Sequence, residues 1–407
     1  MHAKNLFYFL ILVLCLTPIV SQATSNTTPI TTNINRILTE FGEDINIGIM
    51  VQNLQNSAVI YQKNPTRYFA PASNQKLLTA YAALSYLGST FRYQTQLVLE
   101  PKNINGGIYH GDVYLRFSGD PLLTTADLDT LLSKLHDAGV TTIAGHLFID
   151  DTAFDQALWP PGSSWDKQHA CSGAPISALI IDHNCINNEP LQKPRMHMQN
   201  VLTNLSAKNH IQVSQGINLG RVPNKANAWL IHYSQPLSQL TTQMLKNGDN
   251  VIANSLFKIL GGHYVHGQGN WKNGSKALQA ILSTNLKTRF LDAALRDGAG
   301  ASHYTQITPL QLSTLLVKGY QQPYFVNALP IAGVDGTLAT RMINAKTMAR
   351  VRAKTADENS ISALSGYIQK IDQQNILAFV IIINGFVGSS IKYQELQDKI
   401  CLVLADN

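Results

Sequence analysis

Apolar residues at every second position of Ile45-x-Ile47-x-Ile49-x-Val51 specify a strand with one buried face, and the polar turn Asn53-Leu54-Gln55-Asn56 leads into a second strand around 58–61. The pair predicts a β-hairpin, preceded by a helix near 33–40. Far downstream, Arg350-Val351-Arg352-Ala353-Lys354-Thr355 alternates long with short side chains, and the runs 361–368 and 375–383 follow as further strands. A helical pattern over 393–404 comes next. If the hairpin joins those three strands, the two ends of the chain build one five-stranded antiparallel sheet, and the middle must supply helices and an insertion. Between about 93 and 235 the texture changes to short strands at 106–109, 112–117 and 145–150 around one helix at 125–138. This stretch is read as a separate β-rich insert.

The first 23 residues fall outside this pattern. Lys4, the apolar run from Leu6 to Leu14 and the small-residue exit Ser21-Gln22-Ala23 make a secretory signal peptide over 1–23, followed by the polar tether Thr24-Ser25-Asn26-Thr27-Thr28. About 15 apolar residues fall short of the roughly 20 that an uncleaved anchor needs. The longest later apolar run, 377–383, suits a buried strand, so no membrane span is expected in the mature chain. In an oxidising space Cys171 and Cys185 could form a disulfide, leaving Cys401 as a buried thiol. A content of 45% hydrophobic and 14% charged residues makes the 407-residue chain globular, with length for two domains. Its net charge of +6 comes without a Lys/Arg block, which gives no support to nucleic-acid binding.

Three short segments carry chemistry. Ser73-Asn74-Gln75-Lys76 runs into a strong helix former, Leu77 to Leu84, so Ser73 sits at a helix N-terminus with Lys76 one turn later on the same face. A serine hydroxyl needs a base, and a lysine serves if desolvation and the positive helix end depress its pKa. The helix-end amides can also hold an oxyanion. Alone, this spacing far more often marks a serine cap followed by an exposed lysine. Lys246-Asn247-Gly248-Asp249-Asn250 then puts a polar loop before an apolar helix, and Lys354-Thr355-Ala356 lies on a strand expected at a sheet edge.

In that order, Ser-x-x-Lys, x-x-Asn and Lys-Thr-x resemble the penicillin-recognising serine enzymes, which handle β-lactams and D-alanyl peptides. Over nearly the whole mature chain the resemblance narrows to the D-alanyl-D-alanine carboxypeptidase/endopeptidase family, the class C low-molecular-mass penicillin-binding proteins. It rests on residues 71–76, Gly119-Asp120-Pro121-Leu122-Leu123, Ile149-Asp150-Asp151 with Trp159-Pro160-Pro161-Gly162, residues 249–253, Asp297-Gly298-Ala299-Gly300, and residues 329–338 and 351–355. The resemblance implies an α/β fold: a β-lactamase/transpeptidase-like sandwich whose five-stranded antiparallel sheet is flanked by helices. Residues 24–92 and 236–407 would form that discontinuous catalytic domain, and 93–235 the inserted β-rich domain.

The same resemblance implies a periplasmic serine carboxypeptidase or endopeptidase that acts on peptidoglycan peptides, takes β-lactam antibiotics as covalent inhibitors and needs no metal or cofactor. Whether it forms a homo-oligomer is left open. Ser73 would be the nucleophile, Lys76 its base, and Asn250 the group fixing the substrate amide and Lys76. Lys354 would attract the terminal carboxylate, with Thr355 and Ala356 on the strand that pairs with the peptide. The amides of Ser73 and Asp357 would form the oxyanion hole, and Asp150 would receive a diaminopimelate amine. The resemblance also implies the Cys171–Cys185 bridge.

Three positions depart from the family pattern. Gly248 stands where a serine normally relays a proton to the leaving amine, Ala356 replaces a glycine beside the substrate, and the Asp357 carboxylate would oppose an oxyanion if it pointed inward. Losing one proton-transfer group costs about 10² to 10⁴ in rate, so a catalytically impaired peptidoglycan-binding descendant is the first alternative and a serine β-lactamase the second. Ser255, Thr355 or an ordered water are candidates to replace the missing hydroxyl. His263-Tyr264-Val265-His266 reads as a solvated Gly-rich loop rather than a metal site, Gly298-x-Gly300 as a turn, and Lys193-Pro194-Arg195 as an exposed loop.

Overall fold

The structure, a computed structural model, describes residues 28–42, 45–372 and 375–406. The expected signal peptide, 1–23, lies outside them. Helix α1 (Pro29–Phe41) starts where the Thr28 side chain accepts the Thr31 amide, with proline as its first residue, and stops at Gly42 in the left-handed region at φ 71°. The hairpin β1 (Asn46–Asn53) and β2 (Val59–Lys63) follows, then a 3-10 turn at Ala72–Asn74 and helix α2 (Gln75–Leu87). Next come β3 (Gln94–Val98), β4 (Val113–Arg116), α3 (Thr125–Asp137), β5 (Leu147–Asp150), α4 (Pro194–Lys208), β6 (Ile217–Leu219) and β7 (Ala228–Tyr233). Helices α5 (Leu237–Asn247), α6 (Asn250–Val265), α7 (Trp271–Leu286) and α8 (Pro309–Gly319) precede the strands β8 (Val351–Glu358), β9 (Ile361–Gln369) and β10 (Ile376–Asn384) and helix α9 (Ile391–Asp406).

The first sheet has the order β8-β9-β10-β1-β2 and is antiparallel throughout. The N-terminal hairpin therefore does join the C-terminal strands, with Ile47 opposite Ile383 and Val51 opposite Phe379. Strand alternation sorts the side chains between two layers. Leu377, Phe379, Ile381 and Ile383 pack with α1 and α9, while Ala378, Val380 and Ile382 meet the layer that contains α2 and α5 to α8. Burial on both faces explains why 377–383 is apolar without interruption.

Strand β8 is the edge. The Ala353 amide donates to Pro330 O and Val351 O accepts the Ala332 amide, so the backbone groups of 351 and 353 point outward, and by the two-residue period those of 355 and 357 do too. The second five-stranded sheet has the order β6-β5-β4-β3-β7, and the entering β3 pairs with the leaving β7. Buried residues of this insert, such as Leu97, Leu115 and Ile149, belong to the same continuous apolar cluster as Leu77 of α2 and Phe257 of α6.

Two expected loops are helical. His263 to Val265 form the last turn of α6, and His266 caps it. Gly261 serves helix packing there, since a Cβ on it would come within 2.4 Å of the Gly274 amide of α7. Arg195 stands in the first turn of α4 and pairs with Asp151 at 2.7 Å. Among the described residues no helix is long and apolar enough to cross a membrane.

Candidate active site

Ser73 lies in the turn just before α2, after Ala72 at φ 43°, a left-handed conformation uncommon for a residue with a side chain. The turn is held from outside by Gly300, because a Cβ there would overlap Ala72 O at 1.8 Å. On the first turn of α2, Lys76 is fully buried and places Nζ 3.0 Å from both Ser73 Oγ and Ala299 O. The segment carrying Ala299 is fixed in turn. Asn254 Oδ1 accepts the amides of Gly298 (2.9 Å) and Ala299 (3.1 Å), and Thr79 Oγ1 donates to Gly298 O at 2.8 Å. Burial lowers the Lys76 pKa to about 8, against the opposing pull of Asp297, Glu358 and Asp249.

Lys354 is also buried, with its Nζ donating to Thr355 O at 2.9 Å. Burial, and then the charge of Lys76, lower its pKa to about 7. Two buried amines thus lie close enough for one charge to act on the other. Ala356 lies two residues on and so shares the strand face of Lys354, buried in the layer that includes α2. The Asp357 carboxylate accepts Gln394 Nε2 of α9 at 2.7 Å, which puts it on the opposite face from Lys354 while its amide keeps the outward direction. The carboxylate is thus turned towards α9.

Gly248 ends α5 at φ 76°, and a Cβ on it would sit 3.8 Å from Lys354 Nζ. Asp249 caps α6 by accepting the Ile252 amide at 2.9 Å, and Asn250 donates from Nδ2 to Ser172 O at 2.8 Å. Neither side chain expected to replace the missing hydroxyl is turned that way. Ser255 Oγ donates its proton to Gly119 O and is hydrogen-bonded to Tyr93 Oη, and Thr355 Oγ1 bonds Thr337 Oγ1 at 2.7 Å.

Asp150 does not suit the substrate role expected of it. It is 1% exposed, and its carboxylate accepts the Thr152 amide and hydroxyl and the Val222 amide, with Arg116 at 3.5 Å. Those partners occupy its lone pairs, so the residue braces the insert. Instead, the insert reaches the cleft through Lys167, on a short helix at Trp165–Gln168, which bridges Glu358 at the end of β8. Cys171 and Cys185 are disulfide-bonded beside it, and Cys401 is a buried free thiol. The roles of Ala299, Asn254, Lys167 and Glu358 in building this region had no signature in the sequence beyond the Asp297-Gly298-Ala299-Gly300 segment.

Residues 30–194 and 190–406 match the model of the D-Ala-D-Ala carboxypeptidase 3 (S13) family. The chain belongs to that family. Among S13 relatives, the D-alanyl-D-alanine carboxypeptidase DacB of Haemophilus influenzae is 26% identical, over 87% of this chain and 88% of that protein. The D-alanyl-D-alanine carboxypeptidase of Actinomadura sp. (strain R39) is 27% identical, over 91% and 85%. The crystal structure of penicillin binding protein 4 from Haemophilus influenzae superposes with a TM-score of 0.84 at 24% identity, covering 92% of this chain and 100% of that one. A predatory peptidoglycan endopeptidase of Bdellovibrio bacteriovorus shares the fold more distantly, with a TM-score of 0.58 at 17% identity over 88% and 91%. The S13 architecture, an α/β sandwich with an extra β domain, is the fold expected from the sequence.

Proposed function

We propose that this S13 protein is a serine-type D-Ala-D-Ala carboxypeptidase or endopeptidase that cleaves peptidoglycan peptides through an acyl-enzyme on Ser73. The observation that carries the reading is the buried Lys76 amine, lowered to about 8 and 3.0 Å from the Ser73 hydroxyl. Neutral Lys76 takes the hydroxyl proton as Oγ attacks the carbonyl carbon of the D-alanyl residue. The amides of Ser73 and Asp357 receive the oxyanion, and the outward direction of the 357 backbone supports the second donor. The substrate's terminal carboxylate pairs with Lys354. That charge strengthens Lys354's hold on its proton.

Asn250 and the open edge of β8 at Thr355 and Asp357 align the peptide. With glycine at 248, protonated Lys76 must serve the leaving amine without a hydroxyl relay, and the methyl of Ala356 narrows the approach to the strand; both favour slow turnover. Water then hydrolyses the ester. A β-lactam ring presents the same carbonyl and carboxylate. Residues 24–92 and 236–407 are taken as the catalytic domain and 93–235 as the insert, supported by the pairing of β3 with β7. A leader at 1–23 delivers the chain to the periplasm.

Incubation with benzylpenicillin, followed by intact-mass measurement, should give one covalent adduct that Ser73→Ala abolishes. D-Ala release from a pentapeptide should be lost in the same variant. An unmodified wild-type protein would overturn the proposal, and rapid continuous penicillin hydrolysis would make it a β-lactamase.

A further inference from the structure

The loop between Cys171 and Cys185 touches both polar residues of the second motif. Near one end Ser172 O accepts Asn250 Nδ2 at 2.8 Å, and near the other His183 Nε2 lies 3.2 Å from Asp249 Oδ2. The disulfide holds its two cysteine Cα atoms 5.4 Å apart, so both contacts move together. Asp249 is also the cap of α6, which makes its orientation decisive for the first turn, where Asn250 stands.

The His183 end is built in a costly conformation. Asp182, His183 and Asn184 have φ of 47°, 59° and 50°, three successive residues in the left-handed region. The flanking side chains enforce it. Asp182 accepts the amide (3.2 Å) and hydroxyl (2.6 Å) of Thr125, and buried Asn184 accepts the Ile181 amide at 3.1 Å while donating to Pro175 O and Leu179 O. Between them the imidazole alone is left to face the motif, with its side chain 43% exposed. One product of this geometry is the contact with Asp249.

We propose that the Cys171–Cys185 loop is a clasp that positions Asp249 and Asn250, and that His183 is the positioning residue through which protonation controls acylation of Ser73. This rests on the acyl-enzyme reading above. The charged groups facing the imidazole are Asp249 from α6 and Asp182 from its own turn; Lys76 of α2 acts on Asp249, and His197 of α4 feels Asp182. The bond to Asp249 raises the pKa of His183, against the effect of burial. Below that raised value the imidazolium and Asp249 form a full ion pair. As pH rises through it the charge is lost and the clasp slackens. Lys76 runs the other way, because it becomes a base only on losing its proton.

The test is the second-order rate of benzylpenicillin acylation against pH for the wild type, His183→Arg and His183→Gln, with unfolding midpoints measured alongside. His183→Arg keeps the wild-type rate on the acid side and loses the alkaline decline. His183→Gln is slower by about tenfold or more on the acid side, as expected when a reacting group is misplaced, converges with the wild type once the pH has risen past the titration of His183, and keeps an unfolding midpoint near that of the wild type. Superimposed profiles, or an Arg variant as slow as the Gln variant, overturn the proposal and leave the acyl-enzyme reading standing. If His183→Gln does not fold, the alkaline limb of His183→Arg against wild type decides alone. A wild type that is not acylated at any pH removes the acyl-enzyme reading and this proposal with it.

Discussion

At Gly248 the left-handed backbone, φ 76°, favours glycine over a side chain by roughly 1 kcal/mol, and the missing side chain would point at Lys354. Gly248→Ser should therefore raise D-Ala release at saturating pentapeptide by about tenfold or more, while lowering the unfolding free energy by about 1 kcal/mol. A rate no higher than wild type would show that the leaving amine is already served by another group. Ser73 and Lys76 were legible because their relation is local to one helix turn. The surroundings of Asp150 were not legible because a sequence shows a carboxylate but not that Thr152, Val222 and Arg116 surround it. His183 was missed because its partner lies 66 positions away and nothing in the intervening pattern couples them.

The elements around the cleft follow the same logic one level up. The five strands and α9 were readable because each has a face, or two, in a core, and the run of β8 looked weak because its Lys354 face lines the site instead. The last turn of α6 was misread because Gly261 and Gly262 signal a turn unless a neighbouring helix needs the space. No sequence pattern announced the Lys167–Glu358 bridge between the insert and β8, which lies close enough to act on Lys76: Glu358 raises its pKa and Lys167 lowers it. Glu358→Gln should move the acid limb of the acylation profile to lower pH and Lys167→Ala should move it to higher pH. Solvent screening of these partly exposed groups limits each shift to a few tenths of a pH unit, roughly. Limbs that stay in place, or move together, would show that the bridge does not tune the base.

For the whole molecule, the continuous core running from Leu115 and Ile149 of the insert to Leu77 and Phe257 beneath the site predicts a single calorimetric unfolding transition. Two resolved transitions would mean that the insert folds independently despite the shared packing. The same architecture has a consequence for biogenesis. Strand β1 finishes only one of its two pairings within its hairpin; the other waits for β10, with Ile47 meeting Ile383 near the end of synthesis. A nascent chain therefore carries Ile47, Ile49 and Val51 beside an open edge until the final strands emerge. The sheet that carries the Lys354 strand is thus closed last, and Ser73 meets its full surroundings only when the final residues have been added.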